Sequence, residues 1–195
     1  ETFKPIWLLM IISHTHKFIF IKTRKTAGSS VEHVLSKYLG PDDICTGSDV
    51  DETPRLNAPH RKGHIDYRWI KKNFPIEWRT YYRFAIERNP WTKMQSYYHW
   101  HNPNCSFEDF CLDNTAQWNC WFRYADDCIE VDKVMRYEDL HSEMQTSPVP
   151  YADELLTTFK KKDRSISLAH HTNKTISAIE LAFADVIEEF GYTYN

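Results

Sequence analysis

Residues 17–38 constrain the fold more than any other stretch of the chain. Lys17–Lys22 reads KFIFIK, a β-rich apolar run bounded by lysines, and predicts a short buried strand. From Ser29 to Tyr38, apolar residues fall at 31, 34, 35 and 38, one face of a helix, and Gly40-Pro41 stops it. Between them lies Thr23-Arg24-Lys25-Thr26-Ala27-Gly28-Ser29-Ser30. A strand that passes through a basic, hydroxyl-rich turn into a helix is suited to cradling an anion. Backbone N–H groups at the helix start point at it, the helix dipole favours it, and Ser29 and Ser30 add hydroxyl donors. Gly28 lets the backbone approach closely. Taken alone, the segment is also compatible with an ordinary basic turn and a serine N-cap.

The rest of the pattern extends this unit. Tyr81–Glu87 (YYRFAIE) predicts a second buried strand, ended by Asn89-Pro90, and Val131–Met135 a third. Helices are expected over 65–74, over 91–101 behind Pro90 at the first helical position, and over 106–112, 115–124, 151–161 and 176–190. Residues 42–60, rich in Asp, Thr, Pro and Gly, read as a long loop. Strands alternating with helices predict an α/β fold, a parallel sheet of four to five strands flanked by helices on both faces. At 195 residues the chain has one domain's length, with residues 1–16 as a peripheral N-terminal segment.

Charge narrows the ligand. Lys and Arg number 24 against 27 Asp and Glu, a formal charge of −3, so no nucleic-acid or polybasic membrane surface is expected and any anion site must be local. The five cysteines (45, 105, 111, 120 and 128) are odd in number and show no CxxC spacing, which argues against a zinc or thioredoxin-like site and favours free thiols over the alternative, a disulfide among Cys105, Cys111, Cys120 and Cys128. The longest apolar run, Ile6–Ile12, is far short of the ~20 residues that span a bilayer and lacks a cleavage pattern. No membrane span and a cytoplasmic location are the expectation.

A second motif follows the second strand. Arg88-Asn89-Pro90 is followed by Ser96, eight residues after the arginine. If Asn89 caps the helix and Pro90 opens it, positions 89, 93 and 96 share a face. Arg88, Lys93 and Ser96 could then converge on one phosphate, the arginine supplying a bidentate fork. The plain alternative pairs Arg88 with an acid and leaves Ser96 solvated. The ATP-binding P-loop demands GxxxxGK[ST], whereas here Lys25 precedes the turn's only glycine. The first loop is therefore read as a P-loop relative with a different ligand, in a P-loop-like three-layer fold.

Together the two motifs resemble those of the sulfotransferases that use 3′-phosphoadenosine 5′-phosphosulfate (PAPS), closest to the carbohydrate branch that includes heparan sulfate 2-O-sulfotransferase. Val134-Met135-Arg136-Tyr137-Glu138-Asp139-Leu140 and the ending Glu189-Phe190-Gly191-Tyr192 extend the likeness over residues 17–192. Two positions depart from the family pattern: Arg24 stands where proline is usual, and Lys93 where arginine is usual. The resemblance implies that Arg24, Lys25, Thr26, Ala27, Gly28, Ser29 and Ser30 hold the 5′-phosphosulfate, and that Arg88, Lys93 and Ser96 hold the 3′-phosphate. Lys25 would neutralise charge on the leaving phosphate, and 3′,5′-adenosine bisphosphate would be the product. Lys174, in the loop before the last helix, is a further phosphate contact. His60-Arg61-Lys62-Gly63-His64 lies where the family keeps its catalytic histidine in a Gly-His step, so His64 is the expected base and His60 the second choice. The resembled family needs no metal. The acceptor is expected to be a small molecule or oligosaccharide, and Trp69, Trp91 or Trp100 could stack on adenine or sugar. Two other functions compete: a P-loop nucleotide kinase or NTPase, and a non-catalytic nucleotide- or glycan-binding module. The sequence leaves the oligomeric state open.

Overall fold

The computed structural model describes residues 9–47, 56–58, 67–101, 103–113, 130–150, 153–154 and 170–194. The chain divides into two compact units, the break in the first half falling between Glu87 and Arg88.

The first unit carries a five-stranded sheet. Its strands are β1 (Leu9–Ser13), β2 (Phe18–Lys22), β3 (Ile44–Cys45), β4 (Tyr82–Glu87) and β5 (Lys133–Arg136), in the order β3-β1-β2-β4-β5. The expected parallel sheet is corrected to a mixed one. β2, β4 and β5 run parallel, but β1 is antiparallel to both β2 and β3. Residues 14–17 alone join β1 to β2, and so short a link can only reverse the chain, since a parallel crossover needs a dozen residues or more. β1 itself was hidden in the apolar run, which has no period-2 alternation to mark a strand. Residues 10–12, expected in a peripheral segment, lie completely buried between two neighbouring strands. Within the expected loop 42–60, Ile44–Cys45 pairs with β1 and Cys45 bridges Asn57.

Alternation along the strands fills two apolar layers. Phe18, Phe20, Phe84 and Met135 face Val31, Val34 and Leu35 of helix α1 (Gly28–Ser36) and Leu140 and Met144 of the helix Leu140–Gln145. Met10, Ile12, Ile19, Ile21 and Ala85 face Ile70 of α2 (Tyr67–Asn73) and Trp78 of α3 (Pro75–Thr80). The unit is thus α/β, with helices on both sheet faces. α3 escapes the sequence pattern because it is only six residues long, although Pro75 sits at its start as a first-turn proline should.

One buried carboxylate fixes the β1–β2 turn to the approach to β3. Asp43 Oδ1 accepts the N–H groups of His14 (2.6 Å) and Thr15 (3.0 Å), and Oδ2 accepts the Gly40 N–H (2.9 Å) and the Ser13 hydroxyl (3.0 Å). Burial pushes the Asp43 pKa up, but these hydrogen bonds to the ionised form outweigh it and hold the group below the usual aspartate value. At the other side of the sheet, Arg83 forks onto Asp132 (Nε–Oδ2 3.0 Å, Nη2–Oδ1 2.8 Å), joining β4 to the entry of β5.

The second unit is helical. α4 (Pro90–His101) packs its Trp91, Met94 and Tyr97 with Phe107, Phe110 and Cys111 of helical residues 107–113 and with Ile179, Phe183 and Val186 near the C-terminus. The helix expected over 176–190 is instead two, Asn173–Ala182 and Ala184–Phe190. Phe183, buried and non-helical (φ −120°, ψ 23°), separates them. Thr172 and Thr175 form a reciprocal capping box at the first start, and Gly191 (φ 61°) ends the second, with the Tyr192 N–H reaching back to Ile187 O. The helices expected over 115–124 and for most of 151–161 lie outside the described residues. Cys45, Cys105 and Cys111 are free thiols. No helix among the described residues is long and apolar enough to cross a membrane.

Candidate functional site

The turn after β2 is built under strain. Lys25 (φ 60°) and Ala27 (φ 62°) both adopt the left-handed conformation that side chains other than glycine, asparagine and aspartate rarely take. Each such residue costs about 1–3 kcal/mol and persists only where the surroundings over-determine it. Those surroundings are visible. Thr23 Oγ1 donates to the carbonyl of Ile86 on the neighbouring strand β4 and lies 2.8 Å from Thr26 Oγ1. The Thr26 hydroxyl also reaches the Thr23 carbonyl at 3.1 Å. Thr23 and Thr26 are 2% and 0% exposed, and their hydroxyls are engaged within the fold.

Beyond the turn, α1 opens with Ala27 as N-cap and without any capping side chain. The serine N-cap considered from the sequence is therefore not what forms; Ser29 and Ser30 sit in the first helical turn. Ser30 and Val31 donate their N–H groups to Ala27 O, whereas the N–H groups of Gly28 and Ser29 and both serine hydroxyls bond to no other described residue. Arg24, Lys25, Ser29 and Ser30 are half-exposed beside these donors. Backbone donors at a helix start, with two basic residues just before them and two serines in the first turn, are the kind of group that can take a phosphate or sulfate.

Gly28 is required for space rather than for its dihedrals. A Cβ there would stand 2.4 Å from Lys22 Cγ, because the Lys22 side chain lies across the glycine. Lys22 Nζ then reaches Glu32 Oε2 at 2.7 Å, and both side chains are buried (9% and 1% exposed). Sequence reasoning missed this pair: Lys22 served only as the boundary of an apolar run, and a ten-residue separation across a turn matches no helical or strand period. Cys45 Sγ lies 3.8 Å from Glu32 Oε1; burial, and then the charge of Glu32, pushes its thiol up to about 12.

In the second unit, the start of α4 matches the expected cap. Asn89 Oδ1 accepts the N–H groups of Trp91 (3.2 Å) and Thr92 (3.4 Å), and Pro90 opens the helix. Arg88 folds back on this first turn, its Nε donating to Thr92 Oγ1 at 3.0 Å. Lys93 and Ser96 lie three residues apart on α4; Lys93 is buried and Ser96 half-exposed. Lys174 is ion-paired with Glu108 (3.2 Å), which also accepts the Thr172 hydroxyl (2.7 Å). Those two bonds lower the Glu108 carboxyl below its usual range, the Thr172 hydroxyl contributing most. His171 sits against Phe107 and Tyr194 with Nε2 3.3 Å from Trp91 O, and burial pulls its pKa down. Of the tryptophans considered for stacking, Trp91 is buried and packs near Tyr194, Trp69 lies against Phe74, and Trp100 is 60% exposed. His60 and His64 lie outside the described residues. No family model, no curated protein and no solved structure matches the chain.

Proposed function

We propose that the chain is a sulfotransferase that moves a sulfuryl group from PAPS to an acceptor hydroxyl on a small carbohydrate or alcohol. The observation that supports this reading most is the turn Thr23–Ser30: two left-handed non-glycine residues, Lys25 and Ala27, lead directly into the start of α1, where the N–H groups of Gly28 and Ser29 have no partner among the described residues. Strain of this kind has a use where a ligand must be met by a preformed backbone.

The donor supplies a sulfur centre whose leaving group is a phosphate. The acceptor oxygen bonds to sulfur as the bond from sulfur to the bridging oxygen breaks, so negative charge grows on that oxygen. Lys25 neutralises it, and the N–H groups of Gly28 and Ser29 with the hydroxyls of Ser29 and Ser30 hold the adjacent anionic oxygens. The acceptor proton passes to His64, a residue whose ordinary pKa lies near neutrality, with His60 as second choice. The assignment of the 3′-phosphate to Arg88, Lys93 and Ser96 rests on the sequence likeness. A chain of net charge −3 suits a neutral sugar, a short oligosaccharide or a small alcohol at least as well as a long polyanion.

Calorimetric titration with 3′,5′-adenosine bisphosphate and, separately, with ATP and Mg²⁺ tests the nucleotide. Bisphosphate binding without metal supports the proposal, and a preference for ATP–Mg²⁺ overturns it in favour of a kinase or NTPase. A sulfate-transfer assay with labelled donor over a panel of acceptors then separates an enzyme from a binding module. Equal transfer by wild type and His64→Ala would remove the assignment of the base.

A further inference from the structure

The buried Lys22–Glu32 pair lies against the anion turn without facing it. A buried ion pair is weak evidence of stability, because an apolar couple of similar size often does as well. Its position is more informative. Lys22 is the last residue of β2, and its aliphatic stem crosses over Gly28: a Cβ added there would stand 2.4, 3.2 and 3.3 Å from its Cγ, Cδ and Cε. Its ammonium is fastened at 2.7 Å to Glu32, in the second turn of α1. The stem therefore closes a strap that starts on the strand, passes over the first helical residue and is anchored one turn further along the helix. On the opposite side of the carboxylate, the Cys45 thiol of β3 lies 3.8 Å from Oε1, within reach of a weak sulfur hydrogen bond. The strap encloses the interval that contains both left-handed residues, Lys25 and Ala27.

We propose that Lys22 and Glu32 are positioning residues for the anion turn: the strap between them holds Gly28 and the first turn of α1 in register with β2, and so keeps Lys25 and the Gly28 and Ser29 N–H groups aimed at the ligand. Neither residue touches the nucleotide. With its charge balanced by Glu32 and its stem confined, Lys22 is withheld from the anion. The proposal rests on the nucleotide reading for its functional half. The conformational half stands on the turn alone.

Glu32→Gln tests it, since the variant keeps the shape of the side chain while removing the charge that anchors Lys22. Three quantities are read on wild type and variant: amide ¹H–¹⁵N positions for residues 26–30 in the ligand-free protein, affinity for 3′,5′-adenosine bisphosphate, and the urea midpoint. Displaced amide signals in the turn with affinity about tenfold weaker are expected. Unmoved turn signals and unchanged affinity, with only a lower urea midpoint, would overturn the proposal and leave the pair a purely structural contact. Should Glu32→Gln fail to fold, Glu32→Asp keeps the charge but withdraws it by one methylene. Displaced turn signals and a smaller loss of affinity, about threefold, are then expected, and no change in either overturns the proposal. If wild type does not bind the bisphosphate at all, the nucleotide reading fails, and the amide signals still decide whether the pair positions the turn.

Discussion

Substituting Gly28 by alanine isolates the strap with a single methyl group. The new Cβ would lie 2.4 Å from Lys22 Cγ, whereas non-bonded carbons rest at about 3.5–4.0 Å. Cγ must therefore retreat by roughly 1 Å or more. Cγ is only two bonds from the Lys22 backbone, which is fixed in a fully buried strand, so the retreat requires a different χ1 and carries Nζ away from Glu32. Losing one side of a buried ion pair costs about 3–5 kcal/mol. Alanine returns no more than about 1 kcal/mol by stiffening the unfolded chain and favouring the helix. The net expectation is a loss of about 2–4 kcal/mol, measured as the difference in unfolding free energy by urea denaturation at pH 7. The control is the same substitution in a Lys22→Ala, Glu32→Gln background, where the obstructing stem is gone and Gly28→Ala should be neutral or stabilising. A loss below about 1 kcal/mol in the wild-type background, or an equal loss in both backgrounds, would refute the reasoning, because the obstruction would then not be Lys22.

Asp43→Asn should cost about 3–5 kcal/mol at pH 7, since it replaces an acceptor of four or more hydrogen bonds by a half-donor group in a buried position. Because the folded-state pKa of Asp43 is depressed, its contribution is present above the ordinary aspartate value of 3.8 and is lost as pH falls through the folded value. The gap between wild type and variant in urea midpoint should therefore close only in acid; a gap that is constant down to pH 2 would contradict this. Thr23→Val removes the buried hydroxyl that joins the turn to Ile86 O and should lower stability by about 1–3 kcal/mol in thermal unfolding. Lys25→Ala and Arg88→Ala should each weaken 3′,5′-adenosine bisphosphate binding by about 10- to 100-fold in calorimetry, the value of one charge-assisted hydrogen bond, with little change in melting temperature.

The parts of the fold that sequence made legible are those whose signals are local. FIFI between lysines, the 31/34/35 face of α1, YRFAIE and the Asn89-Pro90 start all encode their conformation within a few residues. β1 was obscured because a strand buried on both faces shows an unbroken apolar run, and β3 because two residues make no pattern. With β1 hidden, the antiparallel pairs were hidden too, and the pattern read as an all-parallel sheet. The break at Phe183 was invisible because the apolar period continues through it, while the buried ring decides the backbone there. Within the candidate site, residue identities pointed to a cation, hydroxyls and a glycine. What they did not disclose was that the threonines face inward, that Lys25 and Ala27 are left-handed, and that Lys22 occupies the space a Cβ at Gly28 would need. Each depends on contacts between segments that no short window contains.

The short outer strands of the sheet bear on how the protein behaves at high concentration. Among the described residues, β3 has two residues and β5 has four, and these are the two ends of the strand order. An incoming chain that seeks to extend a sheet needs a long, flat row of unpaired backbone groups. On one border the row is two residues long and Cys45 already exchanges hydrogen bonds with Leu56. On the other, the strand starts with the exposed Lys133, a charge that an added apolar strand would have to bury. Of the described strands, β2 lies fully inside the sheet and β1 is capped by β3 at Ile11 and Ile12, so these apolar segments offer little free edge for intermolecular pairing.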